Sequence, residues 1–407
     1  MKKMVDVGIV MPVYKQVPAY LEAAIQSVLS QTLTTFRMVI VIDGAPEMEP
    51  FVREYVRGDE RVKIVSYPKN KGVGTALNTG FDVLKDDPKL RYWTWVSSDN
   101  TYHPQFLEVL RRALHNGPDQ LGLVYSSFHS IDNDGNRILN DKSLMLQRQY
   151  QSQPKEELMN GSIVGVSFMY KAQYAKMIDG YKMEPVEDYE YWLRLSELCD
   201  IRFIPVELMN YRVDSTLSVS STLKSILQHR KWRYAFHLAR HQARIRRKIE
   251  PEVSILCPLQ VADAQAIERI ENLYEQVYSN YHFFVIDLSL DQQVTRAVSQ
   301  VSHPTTIIRW LPKRTQIKAI KETLPYVKTP MVMVLGRDHF VNTLDLQVLT
   351  RQLNRMGRNY MSGYYTPDHR DVGYRTSEAP VRPGYTEELF WTDAFRSLIE
   401  SGTLGQE

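Results

Sequence analysis

Between Tyr92 and Pro104 an aromatic and β-branched run, Tyr-Trp-Thr-Trp-Val, stops abruptly at Ser97-Ser98-Asp99-Asn100. The run predicts a buried strand, and Ser97 to Asn100 its carboxyl-end loop. Ligands of open α/β sheets gather where strand ends meet loops, which makes Asp99 a candidate binding carboxylate. A lone Asp after a strand is also an ordinary turn residue or helix cap. Asp43, closing Val41-Ile42-Asp43-Gly44, is set in the same way. Two carboxylates on one sheet edge suit a nucleotide sugar: one accepts from a base or ribose hydroxyl while the other holds a divalent cation against the diphosphate. A third acid, Asp188, follows Glu187 at the start of an expected helix, Glu187-Asp188-Tyr189-Glu190-Tyr191-Trp192-Leu193-Arg194. Capping a helix start would account for that pair. A carboxylate so placed can also serve as a general base towards a hydroxyl. Asn70-Lys71-Gly72-Val73-Gly74 offers backbone N–H groups and one lysine to phosphates, without the full dinucleotide spacing or the Lys-Ser/Thr ending of a phosphate loop.

Positioning these groups requires strands alternating with helices. Val7 to Val13 is an apolar run, followed by Tyr20, Leu21, Ala24, Ile25, Val28 and Leu29 at helical spacing. Phe36 to Ile42, Val62 to Tyr67 and the run from Tyr92 complete four β–α alternations in about a hundred residues, the pattern of a parallel, doubly wound α/β sheet. Asp43 and Asp99 then share one edge.

A chain of 407 residues exceeds the usual size of one core, so two domains are expected. Apolar content of 43% and charged content of 24% are those of a soluble globular protein. A net charge of +3 gives no case for nucleic acid. Cys199 and Cys257 are far apart and lack metal-ligand spacing, which suits a reducing compartment. With no signal-like start and no run of transmembrane length, the expected location is cytoplasmic.

Val7 to Tyr14, Ser27 to Thr32, Val41 to Gly44, Asn70-Lys71-Gly72 with Asn78-Thr79-Gly80, and Ser98-Asp99-Asn100 together resemble the family 2 glycosyltransferases of the GT-A fold, closest to the spore-coat polysaccharide type. The likeness runs over roughly Val7 to Ser221. It implies an inverting enzyme that uses a nucleoside-diphosphate sugar, most often a UDP-sugar, with Mn²⁺ or Mg²⁺, and a glycan or other hydroxyl acceptor. Carried over, the resemblance puts Pro12, Val13 and Tyr14 beside the base, Asp43 on the base, Lys71 and Gly72 near the base or diphosphate, Ser98 near the ribose, Asp99 on the metal and Asp188 as general base. Glu187, Trp192 and Arg212 fall in the acceptor or supporting region. The chain departs from the pattern twice. Ser97 stands where the family has its first aspartate, and Asp214 stands where a histidine is common, as a weak metal ligand or a cap on Ser215-Thr216. Ser218 is a further candidate phosphate contact.

The catalytic unit is expected over residues 1–221. Within it, Asp132 to Asn136 predicts a hairpin turn rather than a calcium loop, because the closing Glu is absent. The Gln-rich stretch Asp141 to Lys155 predicts a mobile loop, and Gly161 to Tyr170 a strand. Residues 222–250 are strongly basic, with Leu227, Tyr234, Leu238, Ile245 and Ile249 forming a narrow apolar seam. The expected element is a linker helix, with a membrane-surface or anionic-glycan contact as the alternative, so a peripheral membrane location stays open. From Val253 the chain repeats its landmarks: Val253 to Pro258 echoes Val7 to Pro12, Asp287 echoes Asp43 and Asp338 echoes Asp99. Residues 251–360 are therefore read as a degenerate, smaller α/β copy, suited to stabilising the first domain, to self-association into a homo-oligomer or to holding a glycan. Residues 361–407 are read as a tail docking on that copy. The competing reading is a non-catalytic nucleotide- or carbohydrate-binding assembly factor.

Overall fold

The computed structural model describes residues 5–213, 225–376 and 384–404. The chain divides into two compact units, Met1–Ala239 and Arg240–Glu407.

The first unit is built on strands β1 (Val7–Val13), β2 (Phe36–Asp43), β3 (Val62–Tyr67), β4 (Tyr92–Trp95), β5 (Thr101–Tyr102), β6 (Leu121–Ile131), β7 (Phe168–Lys171) and β8 (Asp200–Arg212). Their order across the sheet is β3-β2-β1-β4-β7-β6-β8-β5. β1 is parallel to β2 and β4, and β2 is parallel to β3, so four carboxyl ends lie on one edge. β7 enters antiparallel to both β4 and β6. The near-unbroken apolar composition of β1 follows from this arrangement, because a central parallel strand is covered on both faces. Helices α1 (Pro18–Leu29), α2 (Glu49–Val56), α3 (Val73–Leu84), α4 (Phe106–His115), α5 (Asp141–Gln151), α6 (Ala172–Ala175) and α7 (Glu187–Leu195) complete the unit. α1 buries Leu21, Ala24, Ile25 and Val28, the residues whose spacing marked it.

The second unit repeats the plan. Its strands are β9 (Val253–Leu259), β10 (Tyr281–Asp287), β11 (Thr306–Trp310), β12 (Met331–Val334), β13 (Ser362–Tyr365), β14 (Val372–Arg375) and β15 (Glu388–Trp391). They run in the order β11-β10-β9-β12-β15-β13-β14. Position by position the first six match β3-β2-β1-β4-β7-β6, with parallel pairing among β9, β10, β11 and β12 and antiparallel pairing of β15 to β12 and β13. The expected second α/β copy is therefore present, and its sheet extends past residue 360. Residues from 361 onward, read as a docking tail, supply three of the seven strands. Their short runs, set among polar residues and prolines, concealed this from the sequence.

Three other expectations change. Asp141 to Lys155 is not a loop: α5 spans most of it, capped by Asn140, whose side-chain oxygen accepts from the Ser143 amide at 2.9 Å. Gln, Leu, Met, Arg and Lys are adequate helix formers once such a cap is supplied. Of Gly161 to Tyr170, only the stretch from Phe168 onward pairs as strand. The basic segment does form a helix, Ile226–Arg247, but its expected seam largely faces outward: Leu227, Tyr234, Ile245 and Ile249 are exposed and Leu238 is half-buried, while Arg233, Arg240 and Arg244 are buried. The guanidinium groups satisfy backbone carbonyls, Arg240 donating to Val277 O at 2.7 Å and Arg244 to Ser279 O at 3.0 Å. Packing of small residues, Ala235, Ala239 and Ala243, accompanies them. Among the described residues no helix is long and apolar enough to cross a membrane.

Candidate active site

The carboxyl edge of the first sheet gathers most of the residues singled out in the sequence. At the end of β1, Pro12 is half-buried and Tyr14 exposed, with Lys15 Nζ 5.8 Å from the Tyr14 ring centre. Lys15 thus lies over one face of an otherwise exposed ring. Val13 is fully buried, so only its backbone is available to a ligand.

Asp43 ends β2 nearly buried, and its Oδ1 accepts from the Lys71 amide at 2.7 Å. The Asn70 side chain donates to the Asp43 carbonyl at 3.4 Å. Asp43 therefore fixes the loop that begins α3. Beside it the Tyr67 hydroxyl is buried without a hydrogen-bond partner among the described residues. Burial and then the Asp43 charge hold that phenol well above its ordinary pKa. Lys71 Nζ lies 4.8 Å over the Tyr67 ring.

The loop after β4 is braced from two sides. Ser98 Oγ accepts from Gln16 Nε2 at 3.4 Å, which ties it to the end of β1. The Ser97 amide donates to the Tyr102 hydroxyl at 2.8 Å. Arg212 is nearly buried and holds the other flank: it donates to the carbonyls of Asp132 and Asn133 at 2.7 and 2.8 Å and to Asp99 O at 3.3 Å, and its guanidinium stacks on Tyr20 at 3.8 Å. Arg212 accordingly supports the Asp99 loop. The Asp132 turn is as expected, its carboxylate accepting from the amides of Asp134 and Asn136. Asp99 itself is half-buried, and burial raises its carboxyl pKa against the opposing pull of its own amide and of Arg212.

Asp188 sits in the first turn of α7, half-buried, with Oδ1 accepting from the Tyr189 amide at 2.6 Å. Burial raises its pKa while backbone amides oppose the shift. The neighbouring Glu187 is pushed up to about 8, by burial first and the Asp188 charge second, and its Oε2 is buried without a partner among the described residues. At neutral pH Glu187 therefore keeps its proton, and both carboxyls of the pair are raised, chiefly by burial. Trp192 is fully buried, edge-on to Phe168 at 4.5 Å, so it supports the helix from the core and does not line a cleft.

Glu184 did not stand out among the acids of the chain. Its carboxylate reaches the first turn of α3 and accepts from the Gly74 amide at 2.8 Å, and its charge acts on both Tyr67 and Glu187. The segment that carries Asp188 is thereby joined to the loop that Asp43 fixes. Its only trace in the sequence is an acid three residues before the Glu-Asp pair. Arg194 steadies the same turn, pairing with Glu190 at 2.6 Å and donating to Gly180 O at 2.7 Å.

Among the described residues no three His, Cys, Asp or Glu side chains lie together as a metal cage. Asp99 is one half-buried carboxylate, a donor of the kind that holds Mg²⁺ or Mn²⁺ together with diphosphate oxygens and water. The donor set fits a cation shared with substrate. Asp214 and Ser218 lie outside the described residues.

Residues 8–175 match the family model described as glycosyl transferase family 2. This part of the chain belongs to that family. The sheet of this unit is doubly wound and mostly parallel, the fold class expected for the family. Asp188 falls 13 residues beyond the matched segment. Among curated relatives, an uncharacterized glycosyltransferase of Rickettsia conorii is 26% identical over 214 residues, covering 51% of this chain and 34% of its own length. One from Methanocaldococcus jannaschii is 25% identical over 223 residues, covering 54% of this chain and 74% of its own. The chain spans between a third and about half of the first two relatives it matches, at 34% and 52%. Similar solved structures include TarS of S. aureus in complex with UDP-GlcNAc, with TM-score 0.45 and 12% identity over 57% of this chain and 66% of that one. A mannosyltransferase of Pyrobaculum calidifontis in complex with GDP-Man and Mn²⁺ has TM-score 0.44 and 14% identity, over 60% of this chain and 65% of that one.

Proposed function

We propose that the first unit is an inverting glycosyltransferase that moves a sugar from a nucleoside-diphosphate donor, a UDP-sugar, to a hydroxyl acceptor such as a glycan. The Tyr14 ring stacks on the base, Asp43 and the Tyr67 hydroxyl accept from or donate to its edge, and Lys71 and Ser98 contact the remainder of the nucleotide. Asp188 removes the proton of the acceptor hydroxyl. That oxygen then forms a bond to the anomeric carbon as the bond from that carbon to the diphosphate breaks, and the diphosphate leaves with the electron pair. A divalent cation held by Asp99 would neutralise the departing diphosphate.

The observation that carries this reading is the acidic pair at the start of α7, with Glu187 raised to about 8 and Asp188 Oδ1 accepting from the Tyr189 amide at 2.6 Å. Asp188→Asn tests it: donor binding should be unchanged and kcat should fall by about 10²–10⁴-fold. Equal turnover by variant and wild type would remove Asp188 from the reaction. The missing first aspartate, Ser97, favours the second reading, a non-catalytic binding factor. Hydrolysis of a UDP-sugar without acceptor decides against that factor, and tight binding with no turnover on any donor decides for it. A membrane-surface contact through the basic helix is supported by the outward stripe of Leu227, Tyr234, Ile245 and Ile249. Absence of co-sedimentation with anionic vesicles would dismiss it.

A further inference from the structure

The second unit repeats the sheet order of the first, and the fate of each site position in it differs. Asp287 occupies the place of Asp43, at the end of the second strand. Its two carboxylate oxygens accept from Ser289 N at 2.8 Å, Ser289 Oγ at 2.5 Å, Thr295 N at 2.9 Å and Thr295 Oγ1 at 2.6 Å. With four donors from its own loop, this carboxylate has no remaining capacity for a base. No glycine-rich segment follows Leu311-Pro312-Lys313, which stands where Tyr67-Pro68-Lys69 stands in the first unit. The nucleotide half of the edge is closed.

The other half is open. Asp338 lies four residues beyond the end of β12, as Asp99 lies four beyond β4. It lines a cavity of about 360 Å³ with Glu387, His339, His369, Phe340 and Tyr365, a volume inside the range of roughly 300–1,000 Å³ found for small-molecule sites. Local structure builds this cavity. Glu387 and His369 both have positive φ, 53° in each case, a conformation that side-chain-bearing residues adopt rarely and at a cost. A Cβ at Gly336 would stand 2.4 Å from Glu387 Oε1 and 2.6 Å from Thr386 Cβ, so only glycine lets that segment close against the strand end. The Phe340 amide donates to Asn272 Oδ1 at 2.8 Å while Asn272 Nδ2 donates to Phe340 O at 3.0 Å, clamping the loop in both directions. Tyr365 is fixed by its hydroxyl on Asp345 O at 3.3 Å and lies against His369, ring centres 5.7 Å apart. Burial, and to a smaller degree the Asp338 charge, raises the Glu387 pKa.

We propose that this cavity is a saccharide-binding site, separate from the donor site of the first unit and without transfer chemistry. Carboxylates accept from adjacent sugar hydroxyls, imidazoles donate to or accept from them, and rigid aromatic rings cover the apolar C–H face of a pyranose. The described residues hold no group of three metal ligands, and a nucleotide would lack its base contact. The proposal does not depend on the catalytic reading of the first unit.

The experiment is saturation-transfer NMR on the full chain with glucose, galactose, mannose and N-acetylglucosamine, with and without excess UDP. At least one sugar should show transfer that UDP does not displace, that persists in Asp43→Ala, and that weakens by about tenfold in Glu387→Gln and in Asp338→Asn. Thermal unfolding of each variant establishes that it is folded, and His369→Ala serves where either variant is not. Failure of all four sugars to bind, displacement by UDP, or binding indifferent to the folded variants would overturn the proposal.

Discussion

The Glu184 carboxylate accepts a hydrogen bond from the Gly74 amide at 2.8 Å across 110 positions of sequence. This contact joins the acidic segment leading into α7 to the helix start that follows the Asp43-anchored loop. It places a negative group at the positive end of α3, a stabilising arrangement.

Gly72 makes that contact possible. Its φ of 90° and ψ of 158° are a combination almost confined to glycine, and an added Cβ would lie 2.3 Å from Glu184 Oε1. Gly72→Ala should lower unfolding free energy by about 1–3 kcal/mol in urea titrations. In a Glu184→Ala background the same change should cost less, because the clash is gone and the backbone strain alone remains. Equal costs in both backgrounds would show that Glu184 does not crowd Gly72 in solution.

Glu187 should leave a mark on stability. Its carboxyl is raised to about 8 in the folded chain from an ordinary value near 4.5. Between those values the folded chain keeps a proton that the unfolded chain has released, so stability falls as pH rises. The contribution is complete below pH 4.5 and is lost by the time pH passes the folded value. Glu187→Gln keeps the shape and removes the titration. Wild-type Tm should therefore decline relative to the variant across this interval, and parallel Tm curves would contradict the raised value.

Asp99→Ala should reduce the dependence of UDP binding on Mn²⁺. Calorimetry with Mn²⁺ and with chelator should give affinities for the variant that differ far less than those of wild type, a change of about tenfold or more. An unaltered ratio would take Asp99 out of cation binding.

Arg212 braces the Asp99 loop from below, with its guanidinium on Tyr20 and its donors on three carbonyls. Arg212→Lys removes the planar fork and leaves buried carbonyls with fewer donors, so unfolding free energy should drop by about 2–4 kcal/mol. Donor affinity should fall with it. A lysine variant with wild-type stability and affinity would show that the loop holds itself.

The strands of the parallel core were legible for two reasons: Val7–Val13 is central, covered on both faces and apolar almost throughout, while Val62–Tyr67 is an edge strand whose β-branched and aromatic residues outweigh Lys63 and Ser66, and both have the bounds their composition implied. Asp43, Asp99 and Asp188 stood out as acids next to such strands or at a helix start, a local pattern that survives in one dimension. The repeat of the sheet was legible from its landmarks. Only the tertiary structure decided which way the basic helix faces, since buried guanidinium groups that satisfy distant carbonyls look the same in sequence as solvated ones. It alone recruited residues beyond 361 into the second sheet, brought Glu184 to Gly74 and put Trp192 in the core. Hydrogen bonds and packing between residues far apart in the chain settle such matters, and local propensity carries no record of them.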